Sequence, residues 1–302
     1  MYPLVKVVLS IDGDPDPVLN PDPDAVVFRK YHKMRSLVNE YCDGKAVMTV
    51  HSSPVFRQRF ISDRYMAFWR EWTASGKDLA LHIEDDLYRL PSSESWQPSV
   101  FHRPETLFDI IKTILARLKE GKIDCCCFRG GSNGHSLALA EFLKTQGIIA
   151  DLSCAPGLYW QERGVNWQGA PATAYFALDG NLSARGAAHQ GAILMIPLGW
   201  DGIIPEDRRR PTVNYLANET SALEQLKRVW DAIARRATDS GQPQVVSFLC
   251  HTYSVENEFL NQQLKTMLVH IRQHGGQFIS ITEALEDTRQ QYAGGHGSHG
   301  YE

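Results

Sequence analysis

Short apolar runs recur along the chain, and most end at a polar residue. They are Leu4 to Ile11, Ala46 to Val50, Leu79 to Leu81, Cys125 to Phe128, Ile148 to Ala150, Ala192 to Leu198, Val245 to Cys250 and Phe278 to Ile281. Continuous apolar residues of this length predict strands buried on both faces. Between the runs lie stripes of helical period. Leu107, Ile110, Ile111, Ile114, Leu115 and Leu118 form one; Leu223, Leu226, Val229, Trp230 and Ile233 form another; Leu260, Leu264, Met267, Leu268 and Ile271 form a third. Each stripe predicts a helix with one face on a sheet. Gly147 and Gly275 stand where a helix ends just before the next strand.

Alternating strands and helices predict a parallel sheet, either open or closed. The residues that follow the strands favour closure. Asp12, His51, His82, Arg129, Asp151 and His251 are chemically assorted, and a barrel brings the C-terminal ends of all its strands to one mouth. An open sheet would focus ligands only at its switch point, and no phosphate-cradling glycine loop follows the first strand. The stretch 151–210 is rich in Gly, Pro and Trp and reads as long loops over a site. The final residues are too poor in apolar matter to order themselves. The expected organisation is one large domain over residues 1–287 and a flexible tail over 288–302.

Composition narrows the partners. The 302 residues are 43% hydrophobic and 22% charged, with 35 acidic and 31 basic side chains and a net charge of -4. That balance excludes a polybasic nucleic-acid binder and a long disordered chain. No run approaches the ~18 apolar residues of a membrane span. The first apolar run is too short for a secretory signal, so a cytoplasmic location is expected. The six cysteines form neither a CxxC zinc pattern nor a disulfide framework and read mainly as small buried hydrophobes.

Four segments carry candidate chemistry. Ser10 to Asp14 (SIDGD) ends the first strand with two carboxylates, so that one can bind a metal while the other handles a proton. His82 to Asp86 (HIEDD) offers an imidazole and carboxylates for one divalent ion, with Asp14 as the further oxygen donor. Phe128 to Gly134 (FRGGSNG) suits an anion site built of backbone N–H groups, and Arg129 can hold a carboxylate ionised in one orientation. His251 closes the last long strand with a pKa suited to a general acid. His51 reads as a pocket wall. Trp160, Trp167 and Trp200 suit either stacking on sugar rings or core packing, and Trp160 and Trp200 are taken as candidate substrate contacts.

In this order the motifs resemble the polysaccharide deacetylase family, carbohydrate esterase family four, from Val7 to Leu285. The resemblance implies a distorted (β/α) barrel of about seven parallel strands. It implies Asp12 as catalytic base, Asp14 and His82 as metal ligands, Arg129 as holder of the base and His251 as acid. Three positions depart from the family pattern: Gly13 splits the aspartate pair, Asp86 stands for the second histidine, and Gly130 follows the arginine where a proline is usual. The implied activity is metal-dependent hydrolysis of an N-acyl group, N-acetyl first, from a carbohydrate or related small amide. The implied cofactor is one divalent ion, zinc first, and the implied partner is a small-molecule or lipid-linked sugar. Two other readings stay open: a metal-independent hydrolase of small cyclic amides, and a non-catalytic carbohydrate-binding protein on a degenerate barrel.

Overall fold

Strand β1 (Val5–Asp12) is buried along nearly its whole length, so it must be paired on both edges and covered on both faces. In the computed structural model, which describes residues 5–15, 21–85, 99–189 and 191–295, it pairs with strands on both of its edges. After it come α1 (Asp24–Tyr41), β2 (Val47–Ser52), α2 (Asp63–Ala74), β3 (Asp78–Ile83), α3 (Pro104–Glu120), β4 (Cys127–Gly130), α4 (Leu137–Thr145) and β5 (Ala150–Asp151). The irregular middle of the chain holds β6 (Tyr159–Trp160), β7 (Val165–Asn166), β8 (Tyr175–Leu178), β9 (Asn181–Arg185) and β10 (Leu194–Met195). The chain then runs through α5 (Leu223–Ser240), β11 (Gln244–His251), α6 (Glu258–Gln273), β12 (Gly276–Phe278) and α7 (Ile281–Gly295).

The parallel sheet runs β11-β1-β2-β3-β4-β5-β10. Just past β10, Leu198 bridges Ser247 of β11 in parallel. Gly199 N donates to Ser247 O at 2.9 Å and Ser247 N donates to Pro197 O at 2.8 Å. These bonds join the two ends of the row, so seven parallel strands form a distorted (β/α) barrel. The expected fold class is the one observed. The helices turn their apolar stripes to the barrel: α3 buries Leu107, Ile110, Ile111, Ile114 and Leu118, and α5 buries Leu226, Val229, Trp230 and Ile233. Among the described residues no helix is long and apolar enough to cross a membrane. All six cysteines are free thiols, four of them buried.

Three features differ from the expectation. Helices α1 and α2 were not anticipated, although Val27, Tyr31, Met34 and Val38 are buried at helical spacing on α1. The stretch 151–210 is not all loop. It includes the antiparallel β8–β9 hairpin, turned by Asp179 and Gly180, and β8 pairs antiparallel with β10. An Asp-Gly pair between short apolar runs is a hairpin signal that the surrounding glycines and prolines obscured. Finally, α7 continues past the expected boundary at 287. Thr288 is fully buried, and the Tyr292 ring packs edge-on to Phe176 at 5.4 Å while its hydroxyl accepts from Phe176 N at 3.3 Å. The helix persists because this face has β8 to cover.

That contact is testable. Tyr292→Ala should cost about 2 kcal/mol, below the full-burial range because the ring is half-exposed. Denaturant unfolding measures it, and a loss indistinguishable from zero would return this segment to a tail.

Candidate active site

Strand register decides which end residues meet. β1 and β11 pair so that Asp12 lies opposite His251. β2, β3 and β4 pair so that His51, His82 and Arg129 lie side by side. β1 and β2 are staggered, with Ser10 opposite Val47 and Ile11 opposite Met48. The stagger carries the chain two residues beyond Asp12 before it reaches the level of His51, which is where Asp14 stands. Gly13 makes the passage possible. A Cβ there would meet Thr49 O at 2.7 Å and the Tyr31 hydroxyl at 2.9 Å, so the aspartate pair is split by the one residue that fits. Gly13 N donates to Thr49 Oγ1 at 3.0 Å and Tyr31 Oη donates to Gly13 O at 3.1 Å, which anchors the turn.

Asp12 and Arg129 form a buried ion pair, Nε to Oδ2 at 2.9 Å, and Arg129 Nη1 also donates to Leu152 O at 2.7 Å. The second oxygen of Asp12, Oδ1, is buried without a hydrogen-bond partner among the described residues. His82 Nδ1 donates to Arg129 O at 3.0 Å, which fixes the ring and leaves Nε2 turned toward carboxylates. Nε2 lies 3.2 Å from Asp14 Oδ1, 3.5 Å from Glu84 Oε1 and 3.9 Å from Asp12 Oδ2. His51 Nδ1 lies 2.8 Å from the same Asp14 oxygen.

The electrostatics favour positive charge at this point. Burial pushes the His82 pKa down, but the Asp12 and Asp14 carboxylates outweigh it and hold the imidazole well above its ordinary value. Burial pushes Asp14 up, and His82 and His51 outweigh it in turn, leaving Asp14 well below the usual carboxylate range. A proton on His82 meets that demand, and a divalent cation would displace the proton. The donor set fits such an ion. Asp14, His51 and His82 each offer one ligand atom, and these atoms lie within 4.8 Å of one another. Among the described residues His51 Nε2 is buried with no hydrogen-bond partner, and His82 is oriented by a backbone carbonyl with Nε2 facing Asp14.

His51, expected as a pocket wall, thus stands among the candidate ligands. Asp86, expected as a ligand, lies outside the described residues. Glu84, within the expected acidic run, is buried beside His82 because side chains two apart on a strand share a face.

The other side of the site is a dyad the sequence did not reveal. Glu219, from the segment before α5, accepts from His251 N at 2.8 Å through Oε1 and faces His251 Nδ1 at 3.1 Å through Oε2; Ser254 Oγ also donates to it. His251 Nε2 lies 3.9 Å from Asp12 Oδ2, and its ring stacks on Tyr253 at 4.9 Å. Burial alone would lower the His251 pKa, but Glu219 and Asp12 raise it to about 9. No periodicity or motif marks Glu219, because its partner is 32 residues away and meets it only through the fold.

In the glycine loop after β4, read above as a candidate anion site, the N–H groups of Gly130 and Gly134 and that of the following His135 are engaged within the protein. Gly130 N donates to Ser153 Oγ at 2.7 Å, Gly134 N to Gly131 O at 2.9 Å and His135 N to Gly164 O at 3.1 Å. Gly130 also explains the missing proline. Proline lacks the N–H that Ser153 receives, and a Cβ at this position would meet Gly134 O at 1.8 Å. Trp167 is fully buried with Nε1 donating to Asn133 O at 2.9 Å, so it is core. Trp160 and Trp200 are half-buried. Arg163 lies over the Trp160 ring at 5.0 Å, and Trp200 Nε1 donates to Ile203 O at 2.8 Å.

No family model matches the chain, and no curated protein matches it. Solved structures do. A protein assigned as a polysaccharide deacetylase from Mycobacterium smegmatis superposes with a TM-score of 0.59 at 12% identity, over 96% of this chain and 91% of that one. PuuE allantoinase follows with a TM-score of 0.56 at 11% identity, over 99% and 92%. A second protein assigned as a polysaccharide deacetylase, from Pseudomonas aeruginosa PAO1, gives 0.55 at 11% identity, over 95% and 92%. At such identities the likeness is one of architecture. The chain has the polysaccharide deacetylase fold in a divergent form.

The dyad yields a prediction with a definite sign. The folded pKa of His251 lies above its ordinary value of 6.5, so the stability from its pairing is fully present below about 6.5 and is lost as pH rises through about 9. Glu219→Gln should lower the titration midpoint of the His251 ring by more than about one unit in an NMR titration. It should also destabilise the protein at pH 6 more than above pH 9. A midpoint that stays near 9 in the variant would show that Glu219 does not set it.

Proposed function

We propose that the chain is a metal-dependent hydrolase that removes an N-acyl group, N-acetyl first, from a carbohydrate or related small amide. The observation that carries this reading is the grouping of Asp14, His51 and His82 on one side of a carboxylate held by Arg129, with an imidazole held by Glu219 on the other side of that carboxylate. In this reading Asp14, His51 and His82 hold one divalent ion, zinc first. When bound, such an ion supplies Lewis acidity toward the acyl carbonyl and the attacking water.

Asp12 acts as the base. Its Oδ2 stays on Arg129, so Oδ1, which has no hydrogen-bond partner among the described residues, is the oxygen left to take a proton from water. Arg129 is a positioning residue that keeps the carboxylate ionised in one orientation. His251 acts as the acid: Glu219 keeps it charged, and Nε2 delivers its proton to the departing amine nitrogen as the carbon–nitrogen bond breaks. Water and amide become a carboxylic acid and an amine. Trp160 and Trp200 form walls for the sugar, which is soluble or lipid-linked and met in the cytoplasm.

The purified protein should carry about one divalent ion per chain by elemental analysis, and His51→Ala or His82→Ala should remove it. Acetate release from N-acetylated sugars should fall about 10²- to 10⁴-fold in Asp12→Asn and in His251→Ala. Amide hydrolysis by a chelated, metal-free protein would overturn this reading in favour of metal-independent chemistry. Sugar binding without acid release, with the ion in place, would favour a binding protein.

A further inference from the structure

Helix α6 buries Leu264, Met267, Leu268 and Ile271, and one polar side chain is buried with them. Gln263 is 4% exposed. Glutamine is costly to bury unless its amide is hydrogen-bonded, so its partners indicate its role. Its Nε2 donates to Asn218 O at 2.7 Å and to Ser221 O at 2.9 Å. These two carbonyls flank Glu219 in the chain, so one amide group closes the turn that carries the carboxylate facing His251.

The turn has a second tie. Asn218, fully buried, donates through Nδ2 to Leu260 O at 3.2 Å and to Ser254 Oγ at 3.4 Å. Ser254 Oγ in turn donates to Glu219 Oε1, the oxygen that also accepts from His251 N. The backbone of Asn218 is bound to β11, its N donating to Leu249 O at 3.0 Å. A continuous chain of contacts thus runs from α6 through the turn and Glu219 to His251, and from His251 Nε2 to Asp12.

We propose that Gln263 is a positioning residue that fixes the 218–221 turn and thereby holds Glu219 on the His251 ring. Without this amide, Asn218 O and Ser221 O lose a buried donor, and the turn relaxes to recover one. Glu219 Oε2, 3.1 Å from His251 Nδ1, then moves off the ring, and its attraction for the imidazolium weakens with distance. The carboxylates that act on His251 are Glu219, Asp12 at the end of β1 and, more weakly, Asp14. Gln263 carries no charge, so a neutral replacement acts on His251 by moving Glu219 rather than by removing a charge. The positioning stands on these hydrogen bonds alone. Its consequence for proton delivery to a leaving amine rests on the proposed hydrolase.

An NMR titration of the His251 ring in the full chain tests it. Gln263→Met keeps the size and length of the side chain but has no donor. The His251 midpoint should fall by about half a unit or more, and by less than in Glu219→Gln. Gln263→Asn, whose amide falls one methylene short of the turn, should shift it in the same direction and serves if the methionine variant does not fold. Leu264→Ala loosens the same helix but removes no hydrogen bond from the turn, so it should lower the thermal midpoint and leave the His251 midpoint in place. In the Glu219→Gln background, Gln263→Met should add no further shift, because the charge it places is gone. A Gln263 variant whose His251 titrates like the parent's overturns the proposal. So does an equal shift in Leu264→Ala, or a further shift in the double variant. Acetate release from N-acyl sugars is measured separately: in Gln263→Met, kcat should fall about tenfold or more with KM unchanged, and the loss of activity at high pH should begin at lower pH. A shifted ring midpoint in a chain whose parent releases no acid supports the positioning and overturns the hydrolase alone.

Discussion

A sheet that closes on itself must stagger its strands, and most of what is distinctive here follows from that constraint. Closure through Leu198 and Ser247 fixes the register of β11 against β1 and sets Asp12 opposite His251. The offset of β2 from β1 moves Asp14, rather than Asp12, to the level of His51 and His82. Two aspartates separated by one glycine therefore serve different neighbours. Adjacent aspartates could not do so with this offset, because the intervening position admits no side chain.

The same closure concentrates charge that the interior would otherwise reject. Buried carboxylates are costly unless each has a counter-charge. Asp12 has Arg129, Glu219 has His251, and Asp14 has the two histidines. Each pairing draws on a different strand or loop, so the charges lock the strand ends to one another as well as to their partners. Arg129 is central because it reaches from β4 to the end of β1 and, through Leu152 O, to the segment after β5. Its backbone carbonyl also orients His82, so a single residue couples the base to the candidate ligand set.

The loops at the mouth divide between packing and exposure. Trp167 is committed to the core under the glycine loop, whereas Trp200 shapes an exposed apolar turn. The tightness of the loop after β4 has a structural cause, since the N–H groups of Gly130, Gly134 and His135 are taken up by Ser153, Gly131 and Gly164.

Along the chain, local chemistry was enough to locate the barrel strands, the α3, α5 and α6 stripes and the strand-end residues Asp12, His51, His82, Arg129 and His251. Burial on both faces forces continuous apolar runs, and a helix on a sheet forces a period near 3.6, so both leave a mark within a dozen residues. The grouping of His51 with Asp14, the pairing of Glu219 with His251 and the packing of Tyr292 against Phe176 left no such mark. Each depends on residues brought together across 37, 32 and 116 positions, respectively. Contacts at that range arise only when the barrel closes and its stagger selects which side chains share a level. Local pattern specified the strands and the residues at their ends, and closure determined which of those residues became partners.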